Sequence, residues 1–257
     1  MLADWDQLRR RYEAIAVDGI TRSVGRDQRH YQHNVDFVRQ RFQEGVELAA
    51  HFESEYRAMP LRILDLGAGS GGVSIALANV ERYHVVALDV VINEDLRALR
   101  RLVPVAQVIA TADRLPFRSG SFDVVLCLET IEHLREARSA GRESMRILHS
   151  GGQVMITTPA RLRFLTRPDP HYQVRRLMLL PDRAQRRVIV DKLKLTKTYD
   201  VEHIFWTAGG VIRLFPKRGR VETLVAIPPP GRPRNLRELL WKLFRRLLWD
   251  RIVIYKK

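Results

Sequence analysis

The 257-residue chain is 46% apolar, carries a formal net charge of +15 and has one cysteine, Cys127. This length allows one sizeable core or a core with an appendage, the lone cysteine excludes an internal disulfide framework, and no run of about 18 consecutive apolar residues marks a transmembrane helix. The first 16 residues mix charges of both signs and lack the apolar region of a signal peptide, so the expected location is the cytoplasm.

The positive charge lies in the last two-fifths of the chain. Residues 1–160 contain 20 Lys and Arg against 21 Asp and Glu, whereas residues 161–257 contain 24 against 8. Such asymmetry predicts that the C-terminal part meets something anionic, such as phospholipid headgroups, a phosphorylated substrate or nucleic acid. The alternative is a solvated, arginine-rich surface with no fixed partner.

Hydrophobic periodicity predicts an α/β chain. Two helices are expected first, over residues 4–16 and about 33–58. The following strands are predicted at 61–67, 84–90, 106–113, 122–128 and 153–159. The helices between them are predicted at 72–80, 93–103 and 135–148, the last one ended by the pair Gly151-Gly152. Continuous apolar strands alternating with helices predict a mostly parallel sheet covered on both faces.

Four parts are expected along the chain. They are N-terminal helices (1–59), a ligand-binding core (60–160), a basic cap or insertion (161–202) and a C-terminal part (203–257) that completes the sheet. The last part is predicted to hold a helix within 203–215, a strand at 220–227, an amphipathic helix at 234–250 and a final strand, DRIVIYKK. The basic helix 234–250 has tryptophans near its ends, so it either packs on the core or lies in a membrane interface.

A glycine-rich turn, DLGAGSGG (65–72), follows the first predicted strand and precedes a helix. Gly67, Gly69 and Gly71 remove side chains where the backbone must turn tightly and approach a ligand closely. Asp89 ends the next strand, where a carboxylate can accept hydrogen bonds from ribose hydroxyls. Asp113 follows the third strand.

These residues resemble the class I S-adenosylmethionine-dependent methyltransferases, specifically the type 11 group. The resemblance covers about residues 60–160 and rests on DLGAGSG, ALD, TADRLPF, FDVVLCLETIEHL and RILHSGGQVMITTP. It implies a Rossmann-like, seven-stranded, mostly parallel sheet with an antiparallel last strand. It further implies that Asp65, Gly67 and Gly69 hold the methionine end of S-adenosylmethionine, Asp89 the ribose and Asp113 the adenine, with Gly71, Ala112 and Leu128 completing the cofactor set. The alternative is a doubly wound fold whose site is degenerate.

The segment CLETIEHL (127–134) follows the fourth strand with Glu129, Glu132 and His133. If residues 129–133 form a helical turn, the three side chains share a face. Two adjacent carboxylates then favour a cation between them, and their oxygens suit Mg²⁺ or Mn²⁺. The E-x-x-E-H spacing is similar to the metal site of small-RNA 3′-end 2′-O-methyltransferases and of ubiquinone-pathway O-methyltransferases.

That resemblance implies a fourth ligand, for which His203 is favoured and His171 is the alternative. Two other readings stay open for the segment: metal-free acid/base or substrate-binding chemistry, and a purely structural role at the start of a helix.

The expected function is O-methylation of a small-molecule, sugar or lipid-linked acceptor, with or without metal assistance. Catalytic candidates are Glu129, Glu132, His133 and His203. An RNA 2′-O-methyltransferase is the alternative, although residues 173–198 contain no aromatic side chain for base stacking. A second alternative is a non-catalytic cofactor-binding partner subunit. The basic C-terminal part further predicts peripheral contact with the inner face of an anionic membrane.

Overall fold

A computed structural model describes residues 1–24, 31–57, 59–91, 94–100, 103–161, 174–194, 201–202, 205, 207–216, 218–224 and 251–256. The helices are α1 (Trp5–Val24), α2 (Tyr31–Tyr56), α3 (Gly72–Ala78), α4 (Glu94–Leu99), α5 (Ala137–Ile147), α6 (Asp182–Arg186) and α7 (Ala208–Ile212). Short 3₁₀ turns span Ile131–His133 and Leu177–Leu179, and a π-helical turn spans Arg187–Lys192. Among the described residues, no helix is both long and apolar enough to cross a membrane.

Seven strands form one mixed sheet. They are β1 (Leu61–Leu66), β2 (Tyr83–Asp89), β3 (Val105–Ile109), β4 (Phe122–Leu128), β5 (Leu148–Thr157), β6 (Arg218–Leu224) and β7 (Arg251–Lys256). Their order is β3-β2-β1-β4-β5-β7-β6. β1 pairs in parallel with β2 and β4, and β2 in parallel with β3, whereas β7 runs antiparallel to β5 and β6. The predicted fold class, including the antiparallel last strand, is confirmed.

The chain divides into two compact units. The first unit comprises residues 1–111 and 115–126, and the second comprises residues 112–114 and 127–257. The four-part division expected from the sequence stays a prediction. The predicted helix 234–250 and both candidate fourth metal ligands, His171 and His203, lie outside the described residues.

In the first unit, the N-terminal helices pack closely on α3. Gly45 of α2 allows this approach, because a Cβ there would lie 2.6 Å from the Cβ of Ala76. Tyr12 of α1 is fully buried and stacks on Phe42 of α2, with ring centroids 5.4 Å apart. Two helices thus support the segment that leads from β1 into α3.

In the second unit, α5 approaches the segment after α7 equally closely. A Cβ on Gly141 of α5 would lie 2.4 Å from the carbonyl oxygen of Leu214. The predicted end of α5 at Gly151-Gly152 is wrong, because α5 ends at Ile147 and β5 runs through both glycines. Gly151 has φ 84°, a conformation that lets an extended strand bend without ending.

Candidate functional site

The glycine-rich turn after β1 has the left-handed backbone that its composition predicts. Gly67, Gly69 and Gly71 have φ values of 80°, 51° and 76°, which side chains with a Cβ rarely tolerate. The N–H groups of Gly67 and Ala68 both donate to the carbonyl oxygen of Leu88, at 2.8 and 3.0 Å. The turn is therefore fixed against the end of β2.

Asp89, at the end of β2, closes this turn from the other side. Its Oδ2 accepts a hydrogen bond from the N–H of Gly69 at 2.9 Å, and its Oδ1 accepts one from the N–H of Val90 at 2.7 Å. The side chain is half-buried. Each carboxylate oxygen can accept a further hydrogen bond, so Asp89 remains able to hold hydroxyl groups of a ligand.

Asp65, the first residue of the glycine-rich motif, is buried beside α3. The residue is 1% exposed, and its Oδ2 accepts a hydrogen bond from the hydroxyl of Ser74 in α3 at 2.5 Å. Burial raises the pKa of Asp65, against the opposing effects of the Ser74 hydrogen bond and the Arg41 charge. Its described contacts tie β1 to α3, and its assignment to the methionine end of a cofactor stays a prediction.

Tyr12 is a contact of the turn that the sequence analysis missed. Its hydroxyl and the Oγ of Ser70 form a hydrogen bond of 2.9 Å. The same hydroxyl fills the space beside Gly72, where a Cβ would lie 2.6 Å from it. Leu8, Tyr12 and Ala16 recur every four residues and are all buried. Helical periodicity therefore identifies the buried face of α1, but it does not show that this face contacts the glycine-rich turn.

Three exposed aliphatic side chains near Asp89 were also missed. Val90 is 60%, Val91 64% and Ile109 53% exposed. Ile109 is paired with Asp89 in the β2–β3 register, and the N–H of Ala110 donates to the Asp89 carbonyl oxygen at 3.1 Å. Exposed aliphatic groups beside a polar cradle are typical of a pocket that takes an apolar ring.

Two predicted cofactor residues belong to the loop 112–114 of the second unit, and a third ends β4. Ala112 is 7% exposed, Asp113 is exposed, and Leu128 is 2% exposed. Asp113 is thus open to solvent or ligand, whereas Leu128 packs inside.

The expected helical turn over residues 129–133 is wrong at its start. Glu129 has φ 52° and its N–H donates to the carbonyl oxygen of Thr157 at 2.9 Å, so it stands outside the 3₁₀ turn. Only residues 131–133 form that turn. A non-glycine residue held at positive φ by its neighbours is a local strain that often marks a functional position.

Glu132 and His133 differ in burial. Glu132 is 1% exposed; its Oε2 accepts a hydrogen bond from the Thr158 hydroxyl at 3.1 Å, and its carbonyl oxygen accepts one from the N–H of Glu202 at 2.8 Å. His133 is half-buried, as is Glu129. Glu132 therefore links the turn to the end of β5 and to residue 202, while its two neighbours are partly accessible.

The described residues do not form the predicted metal site by themselves. Among the described residues, no group of three or more His, Cys, Asp or Glu side chains is arranged to hold a metal ion. Glu129, Glu132 and His133 therefore do not form such a group by themselves. A site that includes His203 or His171 stays a prediction.

A family model for a methyltransferase domain, the type 11 domain, matches residues 64–156. Over these residues the chain is similar to class I S-adenosylmethionine-dependent methyltransferases. The match begins in β1 and ends in β5, so it includes the glycine-rich turn, Asp89, Asp113 and the Glu129–His133 segment of the methyltransferase domain.

Curated relatives of the methyltransferase domain act on different acceptor atoms. The chain is 35% identical over 121 residues to a malonyl-[acyl-carrier protein] O-methyltransferase of Geobacter sulfurreducens, covering 43% of this chain and 39% of the relative. It is 34% identical over 104 residues to a sarcosine/dimethylglycine N-methyltransferase of Aphanothece halophytica, covering 38% of each. The chain thus spans about two fifths of the length of each relative.

Solved structures share the fold over most of the chain. A protein of Pyrococcus horikoshii matches with a TM-score of 0.53 at 18% identity, covering 84% of this chain and 91% of that one. A S-adenosylmethionine-dependent methyltransferase of Thermotoga maritima matches with a TM-score of 0.51 at 16% identity, covering 94% of this chain and all of that one. At these identities the likeness establishes the Rossmann-like fold.

S-adenosylmethionine, the cofactor of this domain family, fits the first unit's residues chemically. A Cβ on Gly69 would meet no atom within 4 Å, so the turn faces open space on that side. Asp89 offers acceptors for hydroxyl groups, and Val90 and Ile109 offer an apolar surface beside it. The acceptor oxygens and the neighbouring apolar surface together match a ligand that combines a sugar with an aromatic ring.

Proposed function

We propose that the chain transfers a methyl group from S-adenosylmethionine to a hydroxyl of a small-molecule, sugar or lipid-linked acceptor. The observation that carries the donor half of this proposal is the hydrogen bond between the Gly69 N–H and Asp89, which holds the glycine-rich turn against the carboxylate that we assign to the cofactor's ribose. When bound, the cofactor supplies an electrophilic methyl group.

Hydroxyl acceptors need a proton acceptor, because the oxygen must lose its proton as it attacks. Glu129 and His133 are the partly accessible titratable groups of the segment after β4, and we assign them this role. The strained backbone of Glu129, fixed by Thr157, keeps its carboxylate from folding into the following 3₁₀ turn.

Glu132 supports the segment rather than the reacting atoms in this proposal. Its burial and its hydrogen bond from Thr158 favour a positioning role over metal ligation. In the alternative mechanism, Glu129, His133 and His203 bind Mg²⁺ or Mn²⁺, which assists the transfer. A chelator tests this alternative. We expect transfer to continue in chelator, and activity that is lost in chelator and restored by Mg²⁺ supports the metal variant.

An acceptor screen with methyl-labelled cofactor tests the function. Lipid, sugar and RNA fractions are incubated with the wild type, His133→Ala, Glu129→Gln and the control Glu136→Gln, an exposed acid of the same unit. We expect label in the lipid or sugar fraction, on oxygen by mass spectrometry, reduced about 100-fold in the first two variants and unchanged in the control.

Each other outcome contradicts a stated part of the proposal. Label in RNA alone supports a 2′-O-methyltransferase of RNA, and label on nitrogen contradicts the hydroxyl assignment. Cofactor binding with no transfer to any fraction supports a non-catalytic partner subunit. Full activity of both His133→Ala and Glu129→Gln removes the proposed proton acceptors.

A further inference from the structure

A short helical segment of the second unit, Asp182–Lys192, has two opposite faces. Gln185 and Ile189 are fully buried, four residues apart. Arg183, Arg186 and Arg187 are exposed at spacings of three and four residues, which place them together on the outer face. We call this outer face, formed by these three arginines, the arginine face.

The inner side of the segment is fixed to the end of β5. The side chain of Gln185 donates to the carbonyl oxygen of Leu180 at 2.8 Å. Arg161, 6% exposed and four residues beyond the last residue of β5, donates to the same carbonyl oxygen. The arginine face therefore lies on a segment anchored through the Leu180 carbonyl to Arg161, which is three residues along the chain from Thr158, the partner of Glu132.

Several arginines elsewhere in the described structure are held in ion pairs. In the first unit, acidic partners lie beside Arg9, Arg22, Arg39, Arg41, Arg62, Arg82 and Arg97. In the second unit the same holds for Arg135, Arg146 and Arg220. The arginine face forms no ion pair with any residue that the structure describes, so its charge is available to an external anion.

The composition around the arginine face distinguishes between anionic partners. Residues 174–194 contain seven Lys and Arg against two Asp. Leu180 and Leu193 are 37% and 47% exposed, and within the described part of the second unit they are the exposed large hydrophobic residues. No residue from 174 to 194 is aromatic, which disfavours stacking on nucleic-acid bases. Cationic side chains flanked by exposed leucines are typical of a surface that rests on anionic lipid headgroups.

We propose that the arginine face, with Leu180 and Leu193, docks on the surface of an anionic lipid bilayer. The arginines contact lipid phosphates, and the two leucines enter the boundary between headgroups and acyl chains. This contact is independent of methyl transfer, since none of its residues belongs to the glycine-rich turn 65–72, which we call the donor turn, or to the Glu129–His133 segment.

Vesicle sedimentation with the full chain tests the docking surface. Wild type is compared with Arg183→Gln/Arg186→Gln/Arg187→Gln and with the control Arg138→Gln/Arg142→Gln/Arg213→Gln. The control removes the same charge from exposed positions of the same unit. Vesicles contain phosphatidylcholine alone or mixed with phosphatidylglycerol.

We expect wild type and control to bind the mixed vesicles equally and the phosphatidylcholine vesicles weakly. The arginine-face variant binds mixed vesicles about 100-fold more weakly, from about a fivefold loss per arginine. Leu193→Gln weakens binding even at high salt, where the arginine contribution is screened.

Three results overturn the proposal. One is equal binding of mixed vesicles by the arginine-face variant and its control. Another is equal wild-type binding to the two kinds of vesicle. The last is salt-sensitive binding of an RNA oligonucleotide that is tighter than vesicle binding and is lost in the arginine-face variant, which assigns the surface to nucleic acid.

Discussion

The donor turn of the first unit and the Glu129–His133 segment of the second unit are built in different ways. The donor turn is defined by glycine conformations and by backbone hydrogen bonds to β2, with Asp89 accepting from Gly69. The other segment depends on contacts with Thr157, Thr158 and residue 202. The donor turn therefore tolerates few residue types at fixed positions, and a sequence motif identifies it. The Glu129–His133 segment depends on side chains that are distant in the sequence, so its residues can vary with the acceptor.

Glu132→Ala is expected to have the largest effect, because Glu132 is the buried carboxylate that joins the second segment to Thr158. Removing it leaves a cavity and strips Thr158 of its acceptor, at a cost of about 2–4 kcal/mol of unfolding free energy. Glu132→Gln keeps an acceptor oxygen for Thr158 and should cost about 1 kcal/mol. Urea denaturation measures both. Equal losses in the two variants would show that the hydrogen bond does not support the segment.

Gly45→Ala and Gly141→Ala test whether both units are equally close-packed. Alanine normally stabilises a helix relative to glycine, but here a Cβ meets Ala76 or the Leu214 carbonyl. We expect each variant to lose about 1–3 kcal/mol of unfolding free energy. Gly209→Ala in α7 is the control, because its nearest contact would be 3.7 Å away. Thermal or urea unfolding of the three variants measures these losses. An increase in stability in Gly45→Ala or Gly141→Ala would contradict the close packing at that position.

Tyr12→Phe tests whether the donor turn depends on α1. The change keeps the stacking on Phe42 but removes the hydrogen bond to Ser70, so we expect about fivefold weaker S-adenosylmethionine binding. Tyr83→Phe is the matched control: its buried hydroxyl donates to Glu53 at 2.9 Å, at the opposite end of β2 from the turn. Calorimetry should show a loss of affinity only for the first variant. Equal affinity of Tyr12→Phe and Tyr83→Phe for S-adenosylmethionine would show that Tyr12 contributes only to packing.

The pH dependence of Asp65→Asn should give the smallest effect. Burial raises the pKa of Asp65, so the folded state holds its proton to higher pH than the unfolded state does. That carboxyl therefore lowers the unfolding free energy as pH rises from about 4, its unfolded pKa, through its folded pKa. The stability of Asp65→Asn relative to wild type should increase over this interval and then level off. Urea midpoints across pH measure it, and a flat or opposite difference contradicts the assignment.

The sheet and the glycine-rich turn are predictable from the sequence because their signals are local. Apolar runs, a glycine turn and an acid at a strand end fall within a few residues of one another, and β7 completes the sheet as expected. Tyr12 and Ser70 are 58 residues apart, so periodicity could not pair them. The positive φ of Glu129 accompanies its hydrogen bond to Thr157 of β5, and β5 runs through Gly151 before its register with β7 begins at Gln153. Neither leaves a local pattern.

Calorimetric titration with S-adenosylmethionine tests the central claim most directly, that the turn after β1 and Asp89 form the donor site. We predict one site per wild-type chain, at least about tenfold weaker binding in Asp89→Ala, and unchanged binding in Glu94→Ala, an exposed acid paired with Arg97. Absence of binding by the wild type, or equal affinity in Asp89→Ala, would contradict it.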